Sequence, residues 1–186
     1  MSSRPFKTLL VVVVVTAVTG AVLAGAGLAR TPVEPSAPGD FLYGRVLDSH
    51  ELYGFYAITC PAVTRSAEEW SAQTGDLAEN GFVAGLDEEL LSKSTHAHAS
   101  SLAVLFRTAA DARAQVDRAA AGTRFRVAGV PGAHGYASAS RVTVAFSLGR
   151  LEYVVRVTST DATQLATLRG RASAAARALY RRLDSR

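Results

Sequence analysis

Two histidines separated by one residue are the main candidates for a metal site in this sequence. On a strand, the imidazoles of His96 and His98 would point to the same side, so both could bind one ion. A zinc site needs a third and usually a fourth ligand, and no spacing brings another histidine or carboxylate to this pair. The alternative is a polar loop between two strands, which the preceding Ser-Lys-Ser-Thr at 92–95 favours. We therefore expect no metal site, and His96 and His98 are the candidates if there is one.

A carboxylate within an apolar segment is the main candidate for a ligand contact. The apolar residues of 82–90 alternate, and Glu88 shares their face. An inward carboxylate must be paired with a cation or kept neutral by a raised pKa, and Arg107 and Arg126 are its candidate partners. Such a group could bind a ligand in a cleft. The favoured alternatives are a structural ion pair and a bulge that turns Glu88 outward.

The glycine-rich segment 129–135, Gly-Val-Pro-Gly-Ala-His-Gly, raises the question of phosphate binding. Phosphate-binding loops lead into a helix N-terminus, where backbone N–H groups meet the anion. Residues 136–142 instead have the pattern of a strand and a turn, and Pro131-Gly132 is a typical turn pair. We predict that this segment reverses the chain between two strands.

No pattern in the sequence is typical of nucleophilic catalysis. Gly-x-Ser-x-Gly and Ser-x-x-Lys are absent, and no known motif places a histidine beside a nucleophile. We therefore expect a non-catalytic binding module that uses no cofactor. Two alternatives stay open: a metal-dependent or hydrolytic enzyme that uses His96, His98 and Glu88, and a protein with a structural or assembly role.

An uncharged apolar segment covers residues 9–29, and Arg4 and Lys7 precede it. It is long enough to span a bilayer, and the cations favour an N-terminus inside and the remaining chain outside. Small residues at 24–29 also fit a signal-peptide cleavage site. The sequence predicts a transmembrane anchor or signal peptide at 1–30, a Pro-rich linker at 31–39 and an extracytoplasmic domain at 40–186. The domain would lie outside the cell membrane, held there through 9–29, or be secreted after cleavage.

The periodicity of the domain predicts an α+β fold. Strands are expected in 41–60, 82–91, 100–106, 125–130 and 141–157, and helices in 66–80, 108–121 and 161–183. Gly149-Arg150 fits a two-residue hairpin loop, and Thr108 and Asp161 are suited to begin helices. This order of elements predicts an antiparallel sheet with helices packed on one face.

The single cysteine and the charge distribution restrict the kinds of molecule that this domain could bind or pair with. Cys60 has apolar neighbours, which predict a buried, inert thiol, and a covalent dimer is the alternative. Residues 40–106 hold three basic and ten acidic residues, whereas 107–186 hold fourteen basic and five acidic ones. The halves can neutralise each other, or the arginines can attract an anionic envelope component or a protein. We expect no nucleic-acid binding, because the domain is exported and lacks interleaved aromatics. The sequence leaves the oligomeric state open.

From Leu52 onward the chain resembles a group of exported, Ala- and Arg-rich proteins of actinobacteria. The matching pieces are 52–55, 81–85, 106–113, 130–136, 144–146 with Gly149 and Tyr153, and 178–182. Their order gives the match its specificity, and Tyr53 stands where the pattern has a proline. The resemblance implies an α+β domain outside the membrane, and it carries over no catalytic or binding residue.

Overall fold

The computed structural model describes residues 39–67, 77, 80–95, 97–118 and 122–185. The predicted anchor at 9–29, most of the linker and most of the predicted helix at 66–80 lie outside the described residues. Within the described ranges, no helix combines the length and the apolar character that crossing a membrane requires.

The described residues form eight strands and two α-helices. The strands are β1 (Phe55–Ala57), β2 (Ala62–Thr64), β3 (Phe82–Ser92), β4 (His98–Phe106), β5 (Thr123–Arg126), β6 (His134–Ala137), β7 (Arg141–Leu148) and β8 (Leu151–Thr158). The helices are α1 (Ala109–Arg118) and α2 (Leu165–Asp184), with short 3-10 turns at Asp40–Leu42 and Ala162–Gln164. The predicted α+β character is confirmed.

The strands form one antiparallel sheet in the order β1-β3-β4-β8-β7-β6-β5, and β2 also pairs with β3. β7 and β8 form the predicted hairpin, with Leu148 opposite Leu151 across the two-residue loop. β8 therefore lies between β7 and β4 in the middle of the sheet, with strands along both of its edges.

The two α-helices cover opposite faces of the sheet, so the prediction that the helices pack on one face is wrong. Leu168 of α2 packs in the same cluster as Tyr153 of β8, on the face that we call the α2 face. Val116 of α1 packs in a separate cluster with Val154, on the face that we call the α1 face. Adjacent residues of a strand point to opposite faces, and both faces of β8 carry apolar side chains, as in a strand buried on both sides.

Side chains at the helix starts confirm the predicted boundaries. The backbone N–H of Asp111 donates to Thr108 Oγ1 at 3.1 Å, and the N–H of Thr108 donates to the Asp111 carboxylate at 3.1 Å. This reciprocal pair is a capping box. Before α2, Asp161 accepts hydrogen bonds from the N–H of Thr163 at 2.9 Å and from the side chain of Gln164 at 3.0 Å. Local hydrogen bonds therefore satisfy the first N–H groups of α1, whereas Asp161 caps the 3-10 turn that leads into α2 at Leu165.

Cys60 is exposed, so its predicted burial is wrong. It lies in the connection between β1 and β2, which runs along the edge of the sheet. Ile58 in the same connection is 43% exposed. Apolar neighbours in the sequence do not bury a residue at an edge, because the sheet packs against such a segment from one side only.

Candidate functional site

Glu88 occupies the position on β3 that its spacing predicts. It shares the α2 face with the buried Leu86 and Leu90, and it is half-buried. Burial raises the pKa of its carboxyl group, and the nearby Asp48 carboxylate raises it further. The charged residue that acts on Glu88 is therefore another acid, Asp48.

The two arginines predicted as partners of Glu88 lie elsewhere. Glu88 is opposite Ser101, whereas Arg107 follows the end of β4, roughly 20 Å further along the strand. Arg126 lies on β5, at the far edge of the sheet. Both arginines are exposed. The structure therefore does not bring together Glu88, Arg107 and Arg126.

The histidine pair does not meet Glu88 either. His98 begins β4 and shares the α1 face with Leu102, while His96 lies outside the described residues. The sheet itself separates His98 from Glu88, which is on the α2 face. Within the described ranges, no three His, Cys, Asp or Glu side chains come close enough to hold a metal ion.

The α1 face holds a cavity of about 140 Å³ that no residue of α1 lines. Its walls belong to β3, β4 and β8, and it is lined by Glu89, His98, Ala99, Ser100, Arg156 and Thr158. Three antiparallel strands in register bring these residues together, although those of β8 lie more than 50 positions along the chain from those of β3 and β4.

The strand register sets two rows of side chains across this cavity. Ser100 on β4 is opposite Glu89 on β3 and opposite Arg156 on β8. The Cα atoms of Glu89 and Arg156 are therefore about two strand spacings, or about 10 Å, apart. His98 and Thr158 form the next row, where Thr158 Oγ1 donates a hydrogen bond to the carbonyl of His98 at 3.3 Å.

Arg156 is the unusual group in this cavity. Its Nε atom is buried and has no hydrogen-bond partner among the described residues. Burial lowers the pKa of the guanidinium, and the positive charge of Arg141 lowers it further, whereas Glu152 opposes both. A buried N–H group without an acceptor costs about 1–3 kcal/mol.

Glu152 is a buried acid on the same strand as Arg156. It lies four residues before Arg156 on the same face of β8 and is 3% exposed. Burial raises the pKa of Glu152 to about 8, against the opposing effect of the Arg156 charge. Burial therefore favours the neutral form of this carboxyl group, and the Arg156 charge favours the ionised form.

The wall opposite Arg156 carries an acidic residue, Glu89, whose backbone is held in place. The backbone of Glu89 is bonded to the β1–β2 connection: Ile58 N–H donates to its carbonyl at 2.9 Å, and its own N–H donates to Thr59 Oγ1 at 3.1 Å. Asp87 lies two residues earlier on the same face, where burial and then the charge of Glu89 raise the pKa of its carboxyl group. The β3 wall is therefore acidic and the β8 wall is basic.

The glycine-rich segment forms a second concavity, separate from the first. Residues 127–133 connect β5 to β6, which confirms the predicted chain reversal. Gly129 and Gly132 have φ values of 77° and 67°, in the left-handed region that glycine adopts most readily. A groove of about 460 Å³ lies between this loop, Arg126 and Tyr180 of α2. A strand follows the loop, so its N–H groups do not lead into a helix as those of a phosphate cradle do.

Comparison with known proteins supports the fold. No family model matches the chain, and no curated protein matches it. The structure is similar to that of the extracellular domain of PknH from Mycobacterium tuberculosis. The TM-score is 0.51 at 13% sequence identity, and the match covers 77% of this chain and 95% of that one. At this identity, the similarity shows the fold alone.

Sequence reasoning did not find Arg156 or Glu152. Leu151, Tyr153 and Val155 alternate along β8, and this alternation alone is typical of a strand that buries one face, with Glu152 and Arg156 on the other. Val154 between them was the available signal, because an apolar residue on the second face indicates a strand that is covered on both sides.

Proposed function

We propose that this domain is an extracytoplasmic, non-catalytic module that binds a small ligand through an anionic group held by Arg156. The observation that carries the proposal is Arg156, which belongs to the wall of the cavity and whose buried Nε has no acceptor among the described residues. Arginine is well suited to this role because it is always charged, and its planar guanidinium binds carboxylates and phosphates through paired hydrogen bonds.

Two further observations support binding rather than catalysis. The histidine and glutamate of the alternative hydrolase, His98 and Glu88, lie on opposite faces of the sheet. In the cavity itself, Thr158 Oγ1 already donates to a backbone carbonyl, and Ser100 lies between a carboxylate and a guanidinium rather than beside a base. The fold is also that of a domain described as extracellular, which supports the placement outside the membrane.

The placement is tested by topology mapping of the full-length chain in cells. An epitope tag at the C-terminus should be digested when protease is added to intact spheroplasts, while a cytoplasmic marker stays protected. The apolar segment at 9–29 predicts this result, since the cations before it stay inside. A tag that is digested only after lysis would overturn the placement.

Binding is tested with the purified full-length chain in a non-ionic detergent. Propionate and inorganic phosphate are titrated at constant ionic strength, while the side-chain Nε–H and the backbone amides of β4 and β8 are followed by NMR. We expect saturable shifts at Arg156 and Ser100 that Arg156→Gln abolishes and that Arg126→Gln, at the other edge of the sheet, preserves. Melting temperatures of both variants show that they are folded. Shifts that do not saturate, or that persist in Arg156→Gln, would overturn the proposal.

A further inference from the structure

The cavity on the α1 face carries opposite charges on its two sides. Arg156 lies on β8 and Glu89 lies on β3, with β4 between them. Within the described part of the chain, these two side chains form no ion pair with each other. Two complementary charges therefore face one cavity without satisfying each other.

Each wall has a neighbour of its own sign. Arg141 lies diagonally across from Arg156 on β7, one row along the sheet, and its charge acts on the Arg156 guanidinium. Asp87 lies two residues before Glu89 on the same face of β3, and the charges of these two acids act on each other. Because the acidic and basic pairs lie on either side of β4, the electrostatic potential changes sign across the cavity.

A simple anion satisfies only half of this arrangement. A carboxylate or phosphate bound to Arg156 would also meet the negative charge of Glu89 in the same cavity. A ligand that carries a cationic group next to its anionic group would instead pair with both walls.

The size of the cavity limits the ligand further. Its volume of about 140 Å³ is close to that of an apolar protein cavity of about 150 Å³ that holds one benzene molecule. A ligand of about six non-hydrogen atoms therefore fits, whereas drug-sized ligands occupy pockets of about 300–1,000 Å³. Small α-amino acids have this number of atoms, and their charged groups lie on adjacent carbons.

We propose that this cavity binds a small zwitterion of the amino-acid type, with its carboxylate on Arg156 and its ammonium group on the side of Glu89. Ser100, midway between the two, is placed to bond either group. This inference rests on the proposed function of Arg156, and it adds the ammonium group and the role of Glu89.

The test compares three probes of nearly equal size on the full-length chain in non-ionic detergent: alanine, propionate and ethylamine. Propionate lacks the ammonium group of alanine, and ethylamine lacks the carboxylate. We expect alanine to bind about tenfold or more tightly than either, because it gains a second charge-assisted contact. Binding is measured from the saturable amide shifts of Ser100 and Thr158.

Variants then assign each charge to its wall. The Glu89→Gln variant should bind alanine about tenfold more weakly than the wild type does. It should bind propionate no less tightly, since the repulsive carboxylate is gone. Glu88→Gln is the matched control: it lies on the same strand but on the α2 face, and it should change neither affinity. Glu89 is exposed, so Glu89→Gln is expected to fold, and its melting temperature verifies this.

The outcomes separate the two proposals. If propionate binds in an Arg156-dependent manner but alanine binds no more tightly, the zwitterion inference is overturned and the anion-binding function stands. If Glu89→Gln leaves the affinity for alanine unchanged, the assignment of the ammonium group is overturned. If no probe binds in an Arg156-dependent manner, both proposals fall.

Discussion

Arg182 near the end of α2 binds the carboxylate of Glu51 through two hydrogen bonds of 2.9 Å each, from Nε and Nη2. The same guanidinium donates to the carbonyls of Gly44 and Val46 at 2.6 Å. One arginine thus attaches the segment that precedes β1 to the last helix. Leu42 and Leu47 of this segment are buried beneath it on the α2 face.

Arg182→Lys should therefore destabilise the domain. A lysine keeps the charge but cannot hold both carboxylate oxygens and two carbonyls at once. We expect the free energy of unfolding in urea to fall by about 1–3 kcal/mol. Asp40→Asn is the control, because it removes the pair of Asp40 with Arg65, whose side chains are 41% and 44% exposed. Exposed pairs contribute little, so equal losses in the two variants would contradict the assigned role of Arg182.

The buried Glu152 predicts that stability decreases with rising pH. Its pKa is raised to about 8 in the folded chain, from 4.5 for an unperturbed glutamate side chain. Between these values the folded state holds a proton that the unfolded state releases. Its contribution is therefore fully present below about pH 4.5, and the free energy of unfolding falls by about 1.4 kcal/mol per pH unit until pH 8.

Glu152→Gln should remove this component. We expect the melting temperature of the variant to depend less on pH between 5 and 8 than that of the wild type. The charged group that acts on Glu152 is Arg156 on its own strand, and Arg141 on β7 acts on Arg156 in turn. The buried side chains of α1 are Ala112, Gln115 and Val116, none of which titrates. If the melting temperature of Glu152→Gln depends on pH as steeply as that of the wild type, Glu152 is ionised in the folded protein.

We expect the substitution of glycine by alanine to have opposite effects on the free energy of unfolding at Gly135 and at Gly170. A Cβ at Gly135 would overlap the ring of Phe125, its partner in the β5–β6 register. That ring is buried, and the Arg169 guanidinium lies 4.0 Å from its centroid. Gly135→Ala should thus lower the free energy of unfolding by about 1–3 kcal/mol.

Gly170→Ala is the matched substitution within α2. Nothing lies within 4 Å of its added Cβ, and an alanine in a helix interior is more stable than a glycine by about 0.5–1 kcal/mol. Urea unfolding should therefore show a gain for Gly170→Ala and a loss for Gly135→Ala. Similar effects at the two positions would contradict the close packing of Phe125 on β6.

The exposed thiol of Cys60 should react in the folded protein. We expect one equivalent to react with a chromogenic disulfide reagent under native conditions, and adding denaturant should release no further thiol. Cys60→Ser should abolish the reaction and leave the melting temperature nearly unchanged, since the side chain is not part of the core. A thiol that reacts only after unfolding would restore the prediction of burial.

Local patterns in the sequence predicted the local structure. The alternation in 141–157 and the Gly149-Arg150 pair specified the hairpin, because turn geometry and side-chain alternation are properties of neighbouring residues. Thr108 and Asp161 likewise specified two helix starts through side chains that bond N–H groups two or three positions away. The position of Glu88 on its strand was predictable for the same reason.

The sequence by itself determined the long strands β3, β4, β7 and β8, the start of α1 and the faces of individual strands, since these depend on residues within a few positions of one another. The strand predicted at 125–130 instead ends at Arg126. Only the tertiary structure decided that the helices cover both faces of the sheet, that Glu152 is buried, and that Arg156 shares a cavity with Glu89. Glu89 and Arg156 are joined by the register of β3, β4 and β8, which no local periodicity encodes. The sheet order that brings them together depends on the burial of the whole core.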